Sequence, residues 1–221
     1  MHSISKEDYL KAIHHLTSGK EALANTSKIA AYLNIKASSC TDMVKKLASD
    51  KLIIYEPYRG VRLSSSGRKA AIYMIRKHRL WETFLVNTLG FNWDEVHDVA
   101  EQLEHTESPE LINRLDAFLG HPTLDPHGDP IPDANGNVQN LEDKNLASYT
   151  PPADLTVIGV KDHSSEFFQA LAERKIAIGS RIRLLKVFDY DQSLVVEVDS
   201  QEQTLTPSIC QNLVVRASVD N

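Results

Sequence analysis

At 221 residues, with 42% hydrophobic and 24% charged residues, the chain has an ordinary globular composition and room for one large domain or two to three small ones. No apolar run reaches the roughly 18–20 residues that cross a bilayer and no charged-then-apolar leader opens the sequence, so a cytoplasmic protein with no membrane partner is expected. The net charge of −6 is uneven: the first 80 residues hold 15 of the 24 basic and 6 of the 30 acidic residues, a block of +9 ahead of a remainder of −15, which suggests a polyanion-binding segment.

Residues 1–64 read as three short helices and a hairpin. Ser5-Lys6-Glu7-Asp8 carries a capping signal ahead of the apolar stripe Tyr9, Leu10, Ile13 and Leu16. A second helix fits Thr26 to Leu33. After a tight connection at 34–36 a third runs from about Ala37 to Ser49, burying Cys40, Val44 and Leu47. Residues 52–55 and 60–63 read as strands around the turn Glu56-Pro57-Tyr58-Arg59. This is the outline of a winged helix-turn-helix.

Residues 65–120 read as all-helical. One helix is predicted from Gly67 to Leu89, ended by Gly90. A second is predicted from the capping box Asn92-Trp93-Asp94-Glu95 to about Thr106, and a third starts at Ser108-Pro109-Glu110. Residues 121–152, rich in Pro, Gly, Asp and Asn, read as a mobile linker. Residues 153–221 alternate with period two, interrupted by a short helix at about 165–174, which predicts a small β-barrel. The fold class expected is therefore α+β. Cys40 and Cys210 lack CxxC spacing, so neither a disulfide framework nor a thiolate zinc site is expected.

The third helix is the candidate recognition helix. Lys36, Ser38, Ser39, Thr41 and Asp42 lie at its start, with Lys45 and Lys46 further along. Small hydroxyl residues allow close approach to base edges, and lysines neutralise phosphates. Arg59 and Arg62 on the hairpin add cations. A surface helix with solubilising lysines is the plainer reading of each residue alone, but helix, turn, hairpin and basic block together point to double-stranded DNA. Two-fold protein symmetry matches a palindromic operator, so a homodimer is expected, with Leu115, Phe118 and Leu119 as candidate contacts.

The stretch from His97 to His105 carries the other chemistry. At 100° per residue, His97, Glu101, Glu104 and His105 fall on one arc of a helix, and His78 and Glu82 share a face of the preceding one. If the two faces pack together, histidines and carboxylates line a pocket suited to a divalent cation. Solvated His/Glu pairs are the plain alternative for either helix taken alone.

Arg76-Lys77-His78-Arg79-Leu80-Trp81-Glu82, Val96-His97-Asp98, Glu101 to His105 and Gly128-Asp129-Pro130-Ile131-Pro132 resemble the iron-dependent, or diphtheria-toxin-repressor, family. The likeness covers nearly the whole chain. It implies a winged helix (1–64), a helical metal-binding and dimerisation domain (65–120), a linker (121–152) and an SH3-like domain (153–221). Residues 7–10 and 55–60 look closest to the manganese-transport-regulator branch. The resemblance implies a primary site of Asp8, Glu101, Glu104 and His105. It also implies an ancillary site of His78, Glu82 and His97, completed from the C-terminal domain by Asp162, His163 or Glu166, for which N-capping of the next helix is the plain alternative; His78 bridges instead toward the primary pair in the manganese branch.

Iron-sensing members have Met and Cys where this chain has Asp8 and Glu101. Harder oxygen donors favour Mn(II), with Fe(II) as the alternative. Lys11 departs from that branch, where an acidic ligand stands, and so does the presence of a C-terminal domain. The function expected is a metal-dependent repressor of metal-homeostasis genes, not an enzyme. A metalloenzyme is the rival from another class, since histidine–carboxylate clusters also activate water.

Overall fold

The structure, a computed structural model, describes residues 5–17, 23–93, 95–138 and 144–218. The chain divides into two compact units, 1–78 with 132–137 and 79–131 with 138–221.

In the first unit, α1 (Lys6–Thr17) opens with a reciprocal cap. Ser5 N–H donates to Asp8 Oδ2 at 2.7 Å, and Asp8 N–H donates to Ser5 Oγ at 3.2 Å. Asn25 caps α2 (Thr26–Tyr32) by accepting from Ser27 N–H at 2.8 Å. Asn34, in left-handed backbone, turns the chain into α3 (Ala37–Ser49). Strands β1 (Ile53–Glu56) and β2 (Gly60–Leu63) pair antiparallel, with Ile53 opposite Leu63 and Tyr55 opposite Val61. The apolar stripes converge: Tyr9, Leu10, Ile13, Ile29, Cys40, Val44, Leu47, Ile53, Val61 and Leu63 form one core. Each large aliphatic side chain buried there contributes about 1.5–3 kcal/mol. This is the winged helix-turn-helix expected.

Helix α4 (Ser65–Leu89) gives its first part to this unit and its second to the other. It starts two residues earlier than predicted because Ser64 Oγ accepts Gly67 N–H at 3.1 Å.

The second unit continues with α5 (Val96–Leu103) and α6 (Pro109–Phe118), the latter capped by Ser108 with proline in its first turn. Helix α5 is shorter than predicted. Glu95 N–H bonds Asn92 O in a turn before it, and beyond Leu103 the Thr106 N–H and hydroxyl both donate to Leu103 O, closing the last turn. Asp94, part of the predicted capping box, lies outside the described residues.

The C-terminal part is a six-stranded antiparallel sheet in the order β3-β8-β4-β5-β6-β7. Its strands are β3 (Lys144–Asn145), β4 (Ala153–Val160), β5 (Arg181–Val187), β6 (Leu194–Val198), β7 (Gln201–Leu205) and β8 (Leu213–Ala217). Helix α7 (Ser165–Glu173) lies between β4 and β5 in sequence, and α8 (Pro207–Asn212) between β7 and β8. Inward positions Leu155, Val157, Ile182, Leu184, Val196 and Val215 pack with Phe168 and Leu171 of α7. The predicted barrel is corrected: the sheet is SH3-like, but among the described residues its edge strands β3 and β7 do not pair, so it does not close. Alternation encodes a buried face, whereas closure depends on strand number and stagger, which alternation leaves open. No helix among the described residues is long and apolar enough to cross a membrane.

Candidate metal centre

Helix α4 buries a run of polar side chains: Arg76, Lys77, His78, Glu82 and Thr83. A carboxylate at the depth of Glu82, 2% exposed, needs compensating charge or donors. It has two imidazoles. In the second unit Glu82 Oε1 lies 3.3 Å from His97 Nδ1, and Glu82 Oε2 lies 3.7 Å from His127 Nδ1. His78 stands one turn earlier on the same helix face.

His97 is half exposed, and its Nε2 lies 3.5 Å from Glu101 Oε1. Hydrogen bonds to Glu101 and then Glu82 push its pKa up to about 10, so the ring carries a proton that any cation taken up there has to displace.

The other imidazole belongs to the segment read as a linker. Residues 121–131 contain little regular structure, yet they are folded tightly by backbone bonds. Asp125 Oδ1 accepts from His127 N–H at 2.8 Å and Asp129 N–H at 2.9 Å, and Asp125 N–H donates to Asp129 O at 3.0 Å. Gly128, at φ +86°, lies so close to β4 that a Cβ would come within 2.0 Å of Ile158 O. Val160 N–H donates to His127 O at 3.0 Å, joining the turn to the sheet.

Arg79 fastens the same turn to α4. Its Nη2 donates to Asp129 Oδ2 at 2.9 Å, its Nη1 donates to Pro130 O, and its Nε lies 3.4 Å from Asp125 Oδ2. Burial raises the Asp125 carboxyl pKa, and the neighbouring Asp129 and Glu82 charges add to this more than Arg79 offsets. Glu82, Asp125 and His127, all buried, each offer a ligand atom within 4.8 Å of the other two. Sequence reading missed Asp125 and His127. The alternation Asp125-x-His127-x-Asp129 around Gly128 is the signal that could have found them.

Glu101, Glu104 and His105 lie at the end of α5. Because the helix stops at Leu103, Glu104 is its C-cap, fully buried, and His105 sits exposed in the turn beyond rather than on a continuing helical arc. Asp8 is in the first unit, half-buried in the first turn of α1.

The three C-terminal candidates lie at the start of α7. Asp162 Oδ1 accepts Ser164 N–H at 2.9 Å, and Ser164 caps the helix. His163 stacks on His127 at 5.2 Å, and Glu166 is exposed in the first turn. None of the three is among the described groups of three or more mutually close ligand atoms.

Of the DNA candidates, Lys36, Ser38, Ser39, Lys45 and Lys46 are exposed along α3, as are Arg59 and Arg62 on the wing. Thr41 is half-buried, and its hydroxyl donates to Ala37 O at 2.9 Å. Arg59 is already engaged, its Nη1 donating to Glu56 Oε2 at 2.8 Å.

The donors gathered here are carboxylate oxygens and imidazole nitrogens. Both cysteines are buried in hydrophobic cores instead. Such a donor set fits a divalent cation of hard to intermediate character.

Comparison with known proteins agrees. Residues 1–61 match the N-terminal DNA-binding domain of the iron-dependent repressors, and residues 64–133 match their metal-binding and dimerisation domain. The iron-dependent repressor IdeR of Mycobacterium tuberculosis is 33% identical over 168 residues, 74% of this chain and 73% of that protein. The regulator MntR of Oceanobacillus iheyensis is 38% identical over 117 residues, 53% of this chain and 78% of that protein. A solved manganese-dependent transcriptional repressor in complex with manganese is 36% identical, with a TM-score of 0.83 over 97% of this chain and 100% of that one.

A winged helix joined to a helical domain rich in buried histidine and carboxylate defines a metal-responsive, DNA-binding transcriptional repressor that dimerises. The chain belongs to the iron-dependent repressor family, a family of DNA-binding repressors and not of enzymes.

Proposed function

We propose that this protein is a Mn(II)-responsive repressor that binds a palindromic operator as a homodimer in the cytoplasm and controls metal-homeostasis genes, with Fe(II) as the alternative effector. The observation that carries the metal choice is the donor set. Every candidate ligand is oxygen or imidazole nitrogen, while Cys40 and Cys210 are spent in cores, so no soft sulfur biases the sites toward later metals.

In this reading residues 1–64 read DNA, 65–120 hold metal and the dimer contact, 121–152 connect, and 153–221 pack as the SH3-like domain. Asp8, Glu101, Glu104 and His105 would hold one cation. His78, Glu82 and His97 would hold another, with Asp125 and His127 competing for Glu82 and with Asp162, His163 and Glu166 as outer candidates. The bound ion supplies positive charge that lets several carboxylates share one place. Asp8, Glu101 and Glu104 repel one another otherwise, so α1 is drawn to the dimerisation domain only when that repulsion is cancelled. The DNA-competent arrangement thus binds the effector better, and occupancy and operator affinity are linked. Lys36, Ser38, Ser39, Thr41, Lys45 and Lys46 of α3, with Arg59 and Arg62, make the DNA contacts.

Fluorescence anisotropy on a palindromic duplex selected by the protein itself, at one fixed salt, tests this with Mn(II), Fe(II), Zn(II) and chelator in turn. Operator binding that responds to Mn(II) at lower concentration than to Fe(II) is the result expected. Equal binding in chelator would overturn the reading.

A further inference from the structure

The wing carries an aromatic residue that none of the described residues covers. Tyr58, at the hairpin tip, is fully exposed (106%) and its backbone is left-handed at φ 65°, a region that favours Gly or Asn. An aromatic ring in water and a disfavoured backbone both work against folded stability. The stalk beneath it is fixed. Ala24 and Val61 exchange N–H···O bonds of 2.8 and 2.9 Å, and a Cβ on Gly60, at φ +134°, would come within 2.7 Å of Ala24 O. The hairpin therefore holds the ring out from a rigid base.

Its surroundings name the partner's chemistry. Arg62 is exposed on β2, opposite Ile54, which is itself 38% exposed. Beside Tyr58, Arg59 is oriented by its hydrogen bond to Glu56. The wing thus presents an aromatic tip on a hairpin that also carries the exposed cations Arg59 and Arg62, on a domain whose family binds DNA. Amphipathic tips of this kind pack on sugar edges while neighbouring cations meet phosphates.

We infer that Tyr58 is a DNA-contact residue: the wing tip enters the minor groove beside the α3 contact, the ring packs on deoxyribose, and the phenol hydroxyl donates to a phosphate oxygen. This rests on the DNA-binding reading proposed above.

The test uses the full-length protein, saturating Mn(II), a duplex selected from random DNA by the wild type, and one fixed salt concentration. Tyr58→Gly removes the ring and relieves the backbone, and Tyr58→Phe removes only the hydroxyl. The Gly variant is expected to melt at or above the wild-type temperature and to titrate Mn(II) unchanged. Its duplex affinity falls about ten-fold, and the hydroxyl-radical footprint loses protection at sugars flanking the α3 contact. The Phe variant falls between the two. Unchanged affinity and footprint in Tyr58→Gly overturn the inference. So does an affinity loss that tracks a loss of dimer mass in sedimentation, since Tyr58 would then face a second copy. If the wild type itself shows no metal-dependent DNA binding, the functional reading fails, and this inference with it.

Discussion

His127 Nε2 donates a hydrogen bond to the main-chain carbonyl of Trp93 at 2.7 Å, and its Nδ1 faces Glu82 Oε2 at 3.7 Å. A carbonyl can only accept, so Nε2 carries a proton, and Nδ1, whose own proton the Glu82 carboxylate favours, is the nitrogen a cation would take in that proton's place. Fixing one ring nitrogen to present the other is how outer partners prepare an imidazole for a cation. Trp93 also stacks on the His127 ring at 6.3 Å and packs on Phe168 at 4.6 Å, so the C-terminal core backs the same histidine.

That arrangement makes Trp93 an optical reporter. In a Trp81→Phe background, Mn(II) titration should quench Trp93 fluorescence, and adding Glu82→Gln should remove the quench. Trp81→Phe itself should be mild, because its buried Nε1 has no hydrogen-bond partner among the described residues to lose. Quenching that persists in the Glu82→Gln protein would place the ion elsewhere.

Glu104→Gln and His105→Ala should each abolish Mn(II)-dependent operator binding in anisotropy. Melting temperature of the metal-free protein should move by only a few degrees. Glu104 is fully buried and its amide is nearly isosteric, so folding tolerates the change while the charge is lost. Undiminished metal-dependent binding in both variants would refute their role.

Lys45 and Lys46 are exposed on α3 and are assigned here to phosphates. Replacing either by Ala should weaken binding to all duplexes similarly and make the salt dependence shallower by about 1.8 in slope, about 0.9 for each of the dimer's two copies. A loss confined to one duplex sequence would instead make the residue a reader of bases.

Alkaline pH should expose a different buried group. Burial pushes the Cys210 thiol from 9.0 up to about 11. The folded state then holds this proton more tightly than the unfolded chain does. Its contribution to stability is fully present below pH 9 and is lost as pH rises toward 11. Urea midpoints measured across that range should fall, and Cys210→Ala should flatten that limb. An identical alkaline fall in the variant would assign it to other groups.

Much of the molecule could be read without coordinates. Helix α3 runs over the predicted residues because Cys40, Val44 and Leu47 repeat at helical spacing and face one core. The wing lies within one residue of its predicted strands, since Pro57 and Gly60 bound a turn between apolar runs. His78 and Glu82, and His97 and Glu101, were visible as pairs four apart, and the Glu82–His97 contact realises the expected packing of the two faces.

Local pattern determined which residues form helices and strands and which chemical groups lie one turn apart, because those follow from periodicity and capping within a few residues. Tertiary structure alone decided that the last sheet stays open among the described residues. It alone made 121–131 a packed turn delivering Asp125 and His127 to Glu82. The reason is physical: that turn depends on Arg79, Trp93 and Ile158, partners about 30 to 50 residues away, and no local spacing records a long-range hydrogen bond.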